Sequence, residues 1–165
     1  RQGSPQVEIT TPGFKYNLTD LQSSLGLTQL KRVDALNRRR AELAELYGRL
    51  LNGVEEISIL KDPPYPHAHS RHLYIVFLAL ERVRVSRDEF LEELKKRNIG
   101  TGLHFRAVHT QAFYRERRGA KKVKLPNTEW ASDRLFSLPL YPGMSDGDVE
   151  DVVQAIKAAL ASVRK

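Results

Sequence analysis

Apolar residues recur at intervals of three and four positions in several stretches, which is the spacing of an amphipathic helix. This spacing predicts helices beginning at Thr19, near Val33, at Ser86 and at Ser145, and a shorter helix over 126–135. Three of the starts carry the residue pair of a capping box, in which a hydroxyl and a side chain three positions later bond each other's backbone. The pairs are Thr19 with Gln22, Ser86 with Glu89, and Ser145 with Asp148.

Other stretches have strand character. Residues 72–80 are rich in β-branched and aromatic residues and almost continuously apolar, which predicts a central, largely buried strand. A short strand is expected within 54–60, another strand-like segment at 100–106, and a proline-marked segment suited to a sheet edge at 136–143. Helices interspersed with few strands predict an α+β fold, a small, mostly antiparallel sheet covered by helices.

Composition narrows the class of protein. The 165 residues fit one domain and include no cysteine, which excludes a disulfide framework, a thiolate zinc site and a cysteine nucleophile. No apolar run has the length of a membrane span, and the start has no signal-peptide core, so we expect a soluble, cytoplasmic protein without membrane insertion. The net charge of +7 favours anionic partners. Acidic residues interleaved along the helices argue against a nucleic-acid partner.

The segment 13–20 brings polar side chains to the start of the first helix. Lys15, Tyr16 and Asn17 lead directly to the Thr19 cap, where the N–H groups of the first turn carry partial positive charge. Such a helix start can hold a phosphate, and the same residues also suit a plain solvated cap. The residues alone leave both interpretations open.

A second candidate region combines histidines, aromatics and cations. His104 and Arg106 are followed by His109 and Tyr114, side chains that can stack on a base and hold a phosphate. The basic cluster at 115–124, interpreted as a flexible loop, either clamps a pyrophosphate or keeps the surface soluble.

Neither a metal nor a catalytic constellation is predicted. Three histidines, His67, His69 and His72, lie within six residues, but the stretch lacks the carboxylates that would support a metal site, so ordinary hydrogen-bonding histidines are favoured. No nucleophile with its base and no glycine-rich phosphate motif can be assembled.

Motifs in chain order carry a family resemblance. They are GFKYNLTD at 13–20, the His-Leu-Tyr core of 70–75, GTGLHFRAVH at 100–109 and SLPLYPGM at 137–144. From about residue 13 onward the chain resembles the carboxy-terminal part of the DegT family of sugar-nucleotide aminotransferases. Through GTGLHFRAVHTQAFYRER and LPNTEW it is particularly similar to members that make UDP-linked 4-amino-4-deoxy-L-arabinose for lipid A modification.

The resemblance implies the small domain of an aspartate aminotransferase-like fold. Residues 1–18 would be a linker or edge segment continuing from a large domain, and 19–165 the small domain. The family uses pyridoxal 5'-phosphate and works as a homodimer. By the same resemblance Asn17 bonds the cofactor phosphate of the neighbouring subunit, with Lys15 and Tyr16 nearby.

Substrate contacts are implied in the same way. His104, Phe105 and Arg106 would line the nucleotide-sugar side of the cleft, and His109 and Tyr114 are weaker candidates. Arg71 departs from the family, whose members often have tryptophan there, which we interpret as a change in packing or at the substrate edge.

The implied reaction transfers an amino group from an amino acid, glutamate by expectation, to a 4-keto UDP-sugar in lipopolysaccharide or polysaccharide biosynthesis. The Schiff-base lysine belongs to the large domain, so no catalytic residue is assigned within this chain, and the chain alone is expected to be inactive and without bound cofactor. Two alternatives stay open: a sugar dehydratase of the same family, in which histidine replaces that lysine, and a non-catalytic module that binds a nucleotide sugar or phosphate.

Overall fold

The structure is a computed structural model that describes residues 14, 16–117 and 123–165. The chain divides into two compact units, Arg1–Asp34 and Ala35–Lys165. The helices are α1 (Asp20–Leu30), α2 (Val33–Leu50), α3 (Arg87–Lys96), α4 (Ala112–Arg117), α5 (Pro126–Arg134) and α6 (Asp146–Val163), with a short 3-10 helix at Val108–Thr110. The strands are β1 (Ile57–Ile59), β2 (Tyr74–Leu78) and β3 (Leu135–Leu138).

Capping boxes start α1, α3 and α6, as the sequence predicts. At α1 the Gln22 backbone N–H donates to Thr19 Oγ1 over 3.3 Å, and the Thr19 N–H donates to Gln22 Oε1 over 3.0 Å. The same reciprocal bonds join Ser86 with Glu89 and Ser145 with Asp148. Each pair satisfies two backbone N–H donors that a helix start otherwise leaves without a partner, which explains why these helices begin where they do.

The sheet is antiparallel, with β2 between β1 and β3. This confirms the predicted α+β fold with a small antiparallel sheet, and the central place expected for the strand within 72–80. The segment 100–106 does not form a strand as predicted; it contributes one bridge, between Gly102 and Ser137, on the outer edge of β3. Its two backbone bonds, 3.0 Å and 2.8 Å long, nonetheless fix this segment beside the sheet.

Burial along β2 alternates, which corrects the expectation of a strand buried on both sides. Tyr74, Val76 and Leu78 are buried, whereas Ile75 and Phe77 are only half-buried. One face of the sheet packs on the main core, and the other face meets α5, where the Trp130 ring lies 5.4 Å from that of Phe77. The core also includes the buried residues Leu43, Tyr47, Phe90, Leu94, Phe136, Val149, Val152, Val153, Ile156, Leu160 and Val163.

Two further boundaries differ from the prediction. Leu135 belongs to β3 and not to the preceding helix, because its backbone pairs with Phe77 of β2. Arg115 and Arg117 lie in α4, which the sequence did not predict, so the basic cluster is not a loop throughout. Positions 118–122 of that cluster lie outside the described residues. No helix in the described part of the chain combines the length and apolarity of a membrane span.

Candidate functional site

The first group of candidate residues precedes α1, in the unit Arg1–Asp34. Tyr16 and Asn17 are both exposed, and no described residue bonds the Asn17 amide. Lys15 lies outside the described residues. The Thr19 hydroxyl oxygen accepts a hydrogen bond from one N–H of the first turn, that of Gln22. An amide donor beside a capped helix start therefore fits an anion of phosphate type, which is the chemistry that the family resemblance requires here.

The second group surrounds His104, in the unit Ala35–Lys165. The His104 ring is half-buried, and its Nδ1 lies 2.9 Å from the Oγ of Ser137 in β3. Its other nitrogen, Nε2, has no bonding partner among the described residues. The neighbouring Phe105 ring stands edge-on to the imidazole, with the ring centroids 5.1 Å apart, and is 74% exposed. One imidazole nitrogen is thus anchored to the sheet, and the other can meet a ligand.

Arg106 lies on the rim of a polar cavity of about 600 Å³. The residue is exposed, and no described residue accepts a hydrogen bond from its guanidinium. The other lining residues are Arg87, Asp88, Leu103, Thr110, Glu129, Ser132 and Asp133. An exposed guanidinium beside a cavity, with no partner among the described residues, is suited to bidentate contact with a phosphate or carboxylate.

The two weaker candidates, His109 and Tyr114, differ in whether they can contact a ligand. His109 bonds within the fold, because its Nε2 lies 2.9 Å from Oε1 of Glu129 in α5. The Leu125 N–H and then the His109 ring hold the pKa of the Glu129 carboxyl below its usual range. Tyr114 in α4 is exposed, and its ring stands edge-on to that of Phe113. Tyr114 can contact a ligand directly, whereas His109 joins the 3-10 helix to α5.

Arg87 is a buried arginine that the sequence did not mark as important. Its Nη1 donates to the carbonyl oxygens of Ser132, 2.7 Å away, and Leu135, 3.2 Å away, and Asp88 accepts from its Nε. The Ser132 Oγ in turn accepts the N–H of Ala107 over 2.9 Å. Arg87 therefore fixes the end of α5, and α5 fixes the chain directly after Arg106.

The histidines before β2 make local bonds. His67 Nδ1 lies 2.9 Å from the Tyr65 carbonyl oxygen, and the Arg71 N–H donates to Nδ1 of His69. Arg71, the departure from the family, has φ of 47° and pairs with Asp62, whose pKa it holds below the usual range. Within the described ranges no three histidine or acidic side chains gather as a metal site would require.

Three residues that support the site were not identified from the sequence, and they differ in how far the sequence could have indicated them. Ser137 interrupts an otherwise apolar strand, a pattern that marks a buried hydroxyl in need of a partner. Glu129 lies in the first turn of the helix that begins at Pro126, where an acidic residue is ordinary. Nothing in the sequence indicates that it bonds His109, which is 20 residues away. Arg87 sits in a capping-box motif, where its burial has no signal in the sequence.

The fold matches that of sugar aminotransferases of known structure. The aminotransferase TlmJ from Streptoalloteichus hindustanus is 30% identical, with a TM-score of 0.75 over 94% of this chain and 40% of that one. The PLP-form of the putative sugar aminotransferase Spr1654 from Streptococcus pneumoniae is 28% identical, with a TM-score of 0.77 over 97% and 40%. Helicobacter pylori PseC, at 24% identity and a TM-score of 0.77 over 94% and 41%, supports the fold alone.

Residues 1–157 match the model of the DegT/DnrJ/EryC1/StrS aminotransferase family. The chain belongs to this family, which confirms the family resemblance drawn from its motifs. The particular similarity to members that make UDP-linked 4-amino-4-deoxy-L-arabinose stays a prediction. It spans about two fifths of the length of the solved structures it matches.

Proposed function

We propose that this chain is the carboxy-terminal part of a pyridoxal-phosphate-dependent aminotransferase that acts on a 4-keto UDP-sugar, with an amino acid, glutamate, as donor. The observation that carries the proposal is the family match over residues 1–157. Neighbouring structures in a PLP-form and a PMP-form support the cofactor. The finer assignment, to UDP-4-amino-4-deoxy-L-arabinose for lipid A modification in the cytoplasm, rests on the motif GTGLHFRAVHTQAFYRER.

In this proposal the segment before α1 contacts the cofactor phosphate of a second subunit. Asn17 donates from its amide, and the N–H groups of the α1 first turn supply partial positive charge. Tyr16 and Lys15, the neighbours of Asn17 in sequence, complete the proposed set, and of these two only Tyr16 is among the described residues. Asn17 is exposed and no described residue bonds its amide, which supports this role. Pyridoxal phosphate, when bound, supplies the electron sink for amino transfer. The contribution of Asn17 and its neighbours is to hold the phosphate.

The sugar nucleotide is bound, in the same proposal, by the segment after Gly102. Arg106 pairs with the diphosphate, the exposed Phe105 ring offers a stacking surface, and His104 Nε2 meets the sugar. Tyr114 and His109 lie further along the same stretch, and the bond from His109 to Glu129 gives it a supporting role. These residues orient the sugar; none of them is assigned a covalent step.

Variants at the two groups test the proposal separately in the protein purified from its complete gene. Asn17→Ala is expected to weaken cofactor binding about tenfold, the effect of one charge-assisted hydrogen bond, as measured by titrating the apoprotein with pyridoxal phosphate. Asn52→Ala, which removes an exposed amide in the turn after α2, is the matched control. Equal affinities in the two variants would remove Asn17 from the cofactor site.

The substrate site is tested with Arg106→Ala, which should raise the KM for the UDP-sugar about tenfold or more and leave the KM for glutamate unchanged. Arg49→Ala, which removes an exposed arginine of α2, is the control. A rise in the glutamate KM alone would assign Arg106 to the donor carboxylate and overturn the assignment made here.

A further inference from the structure

Ser137 places a buried hydroxyl on the side of the sheet away from the main core. Its neighbours in β3, Phe136 and Leu138, are buried core residues. Because successive side chains of a strand point to opposite faces, the Ser137 side chain leaves the sheet on the other face. The residue is only 4% exposed, and its Oγ lies 2.9 Å from Nδ1 of His104. A polar atom this deeply buried requires a partner, and His104 provides it.

Gly102 determines where the His104 ring can lie. Its N–H donates to the Ser137 carbonyl oxygen and its own carbonyl oxygen accepts from the Ser137 N–H, so its backbone is held against β3 two residues before the histidine. The imidazole lies directly over this glycine. A Cβ at position 102 would overlap Cε1 of the ring and come within 3.0 Å of Nδ1. Only glycine leaves room for the ring in this position.

The Ser137 hydroxyl also determines which nitrogen of the neutral His104 ring carries the proton. Among the described residues, His104 Nδ1 is the only group that forms a hydrogen bond with Ser137 Oγ. If Nδ1 carried the proton, the buried O–H of Ser137 would have no acceptor, which is costly. The hydroxyl therefore donates to Nδ1, and the proton of the neutral imidazole resides on Nε2.

We propose that Ser137 and Gly102 are positioning residues that hold His104 as the Nε2–H tautomer, with this single N–H available to an oxygen acceptor of the ligand. That the acceptor belongs to the sugar of a nucleotide sugar rests on the proposed function. The tautomer and the ring position follow from the fold alone. Removing the Ser137 hydroxyl frees the His104 ring to rotate and to change tautomer, whereas a side chain at position 102 displaces the ring.

NMR of the protein labelled with 15N at histidine tests the proposal without recourse to activity. At about pH 8.5, where an ordinary imidazole is neutral, we expect the His104 signals of a protonated Nε2 and an unprotonated Nδ1. His104→Gln assigns these signals by their loss. Ser137→Ala should shift them towards the average of two exchanging tautomers, Ser137→Thr should restore them, and Ser58→Ala, at an exposed serine of β1, should leave them unchanged. Identical His104 signals in wild type and Ser137→Ala would overturn the proposal.

NMR of a Gly102→Ala variant and the steady-state kinetics of Ser137 variants provide two further tests of the proposal. Gly102→Ala should move the ring and abolish the Ser137-dependent tautomer signals; retention of them would contradict the steric argument. In the aminotransferase assay, Ser137→Ala should raise the KM for the UDP-sugar about fivefold, with recovery in Ser137→Thr. Wild-type protein that shows the tautomer signals but transfers no amino group would refute the proposed function and leave the positioning of His104 intact.

Discussion

Replacing Arg87 with methionine tests whether this buried arginine holds together the elements that carry His104 and Arg106. Methionine keeps most of the volume of the arginine stem and removes every donor. Two carbonyl oxygens, those of Ser132 and Leu135, then lose their Nη1 hydrogen bonds. The ion pair with Asp88 is lost as well, but that carboxylate is 76% exposed.

The expected loss of stability follows from the two carbonyls. Hydrogen bonds from a charged donor contribute about 1.5–3 kcal/mol each, and a buried acceptor left without a partner costs about as much. The adjoining cavity of about 600 Å³ admits water, which offsets part of this cost. The ion pair with the exposed Asp88 contributes little. We therefore expect Arg87→Met to lower the free energy of unfolding by about 2–4 kcal/mol.

Urea denaturation followed by fluorescence is the assay, because the chain's single tryptophan, Trp130, lies in α5 beside the perturbed carbonyls. Arg49→Met, on the exposed side of α2, is the matched control and should stay within about 0.5 kcal/mol of wild type. Arg87→Lys should fall between the two, because one ammonium cannot reproduce the planar fork of donors. An Arg87→Met variant as stable as the control would refute the view that Arg87 secures this end of α5.

Three further outcomes are expected from the same denaturation assay. Phe136→Ala should cost about 3–5 kcal/mol, because the side chain is fully buried in the core; a cost below about 1 kcal/mol would contradict its packing. Ser145→Ala should cost about 1 kcal/mol through loss of the α6 capping box, and should be near neutral if the cap contributes nothing. The pKa values of Asp62, Glu129 and Asp148 are lowered in the fold, by Arg71, by the Leu125 N–H and by the Ser145 N–H respectively. The stability they provide is therefore present above the unfolded pKa values of about 4 and is lost as the pH falls through the lowered values, so the urea midpoint should drop progressively below about pH 4.5, and an unchanged midpoint would contradict these assignments.

Local signals made most of the fold predictable. Capping boxes at Thr19, Ser86 and Ser145 marked the helix starts, because their chemistry lies within four residues. The boundary at Leu135 was missed because backbone pairing with Phe77, distant in sequence, overrides the helical pattern that precedes it. Pattern in the sequence therefore located the elements, and long-range pairing decided where some of them end.

The candidate site was likewise predictable from the sequence only in part. The residues named from motifs, such as His104 and Arg106, are exposed or half-buried and hold groups that no described residue bonds. Their supports, Ser137 and Arg87, act through contacts 33 and 45 residues away in sequence. Spacing carries no information on such contacts, so the structure was needed to identify them.

The proposed activity is the transfer of an amino group to a 4-keto sugar nucleotide. It is tested most directly by incubating the protein purified from its complete gene with pyridoxal phosphate, a UDP-4-keto-pentose and 15N-glutamate, and by analysing the sugar nucleotide with mass spectrometry and NMR. We predict a product with 15N bonded to C4 of the sugar and an equal amount of 2-oxoglutarate. A sugar that loses a hydroxyl group without gaining 15N, or one that is recovered unchanged, would contradict the account.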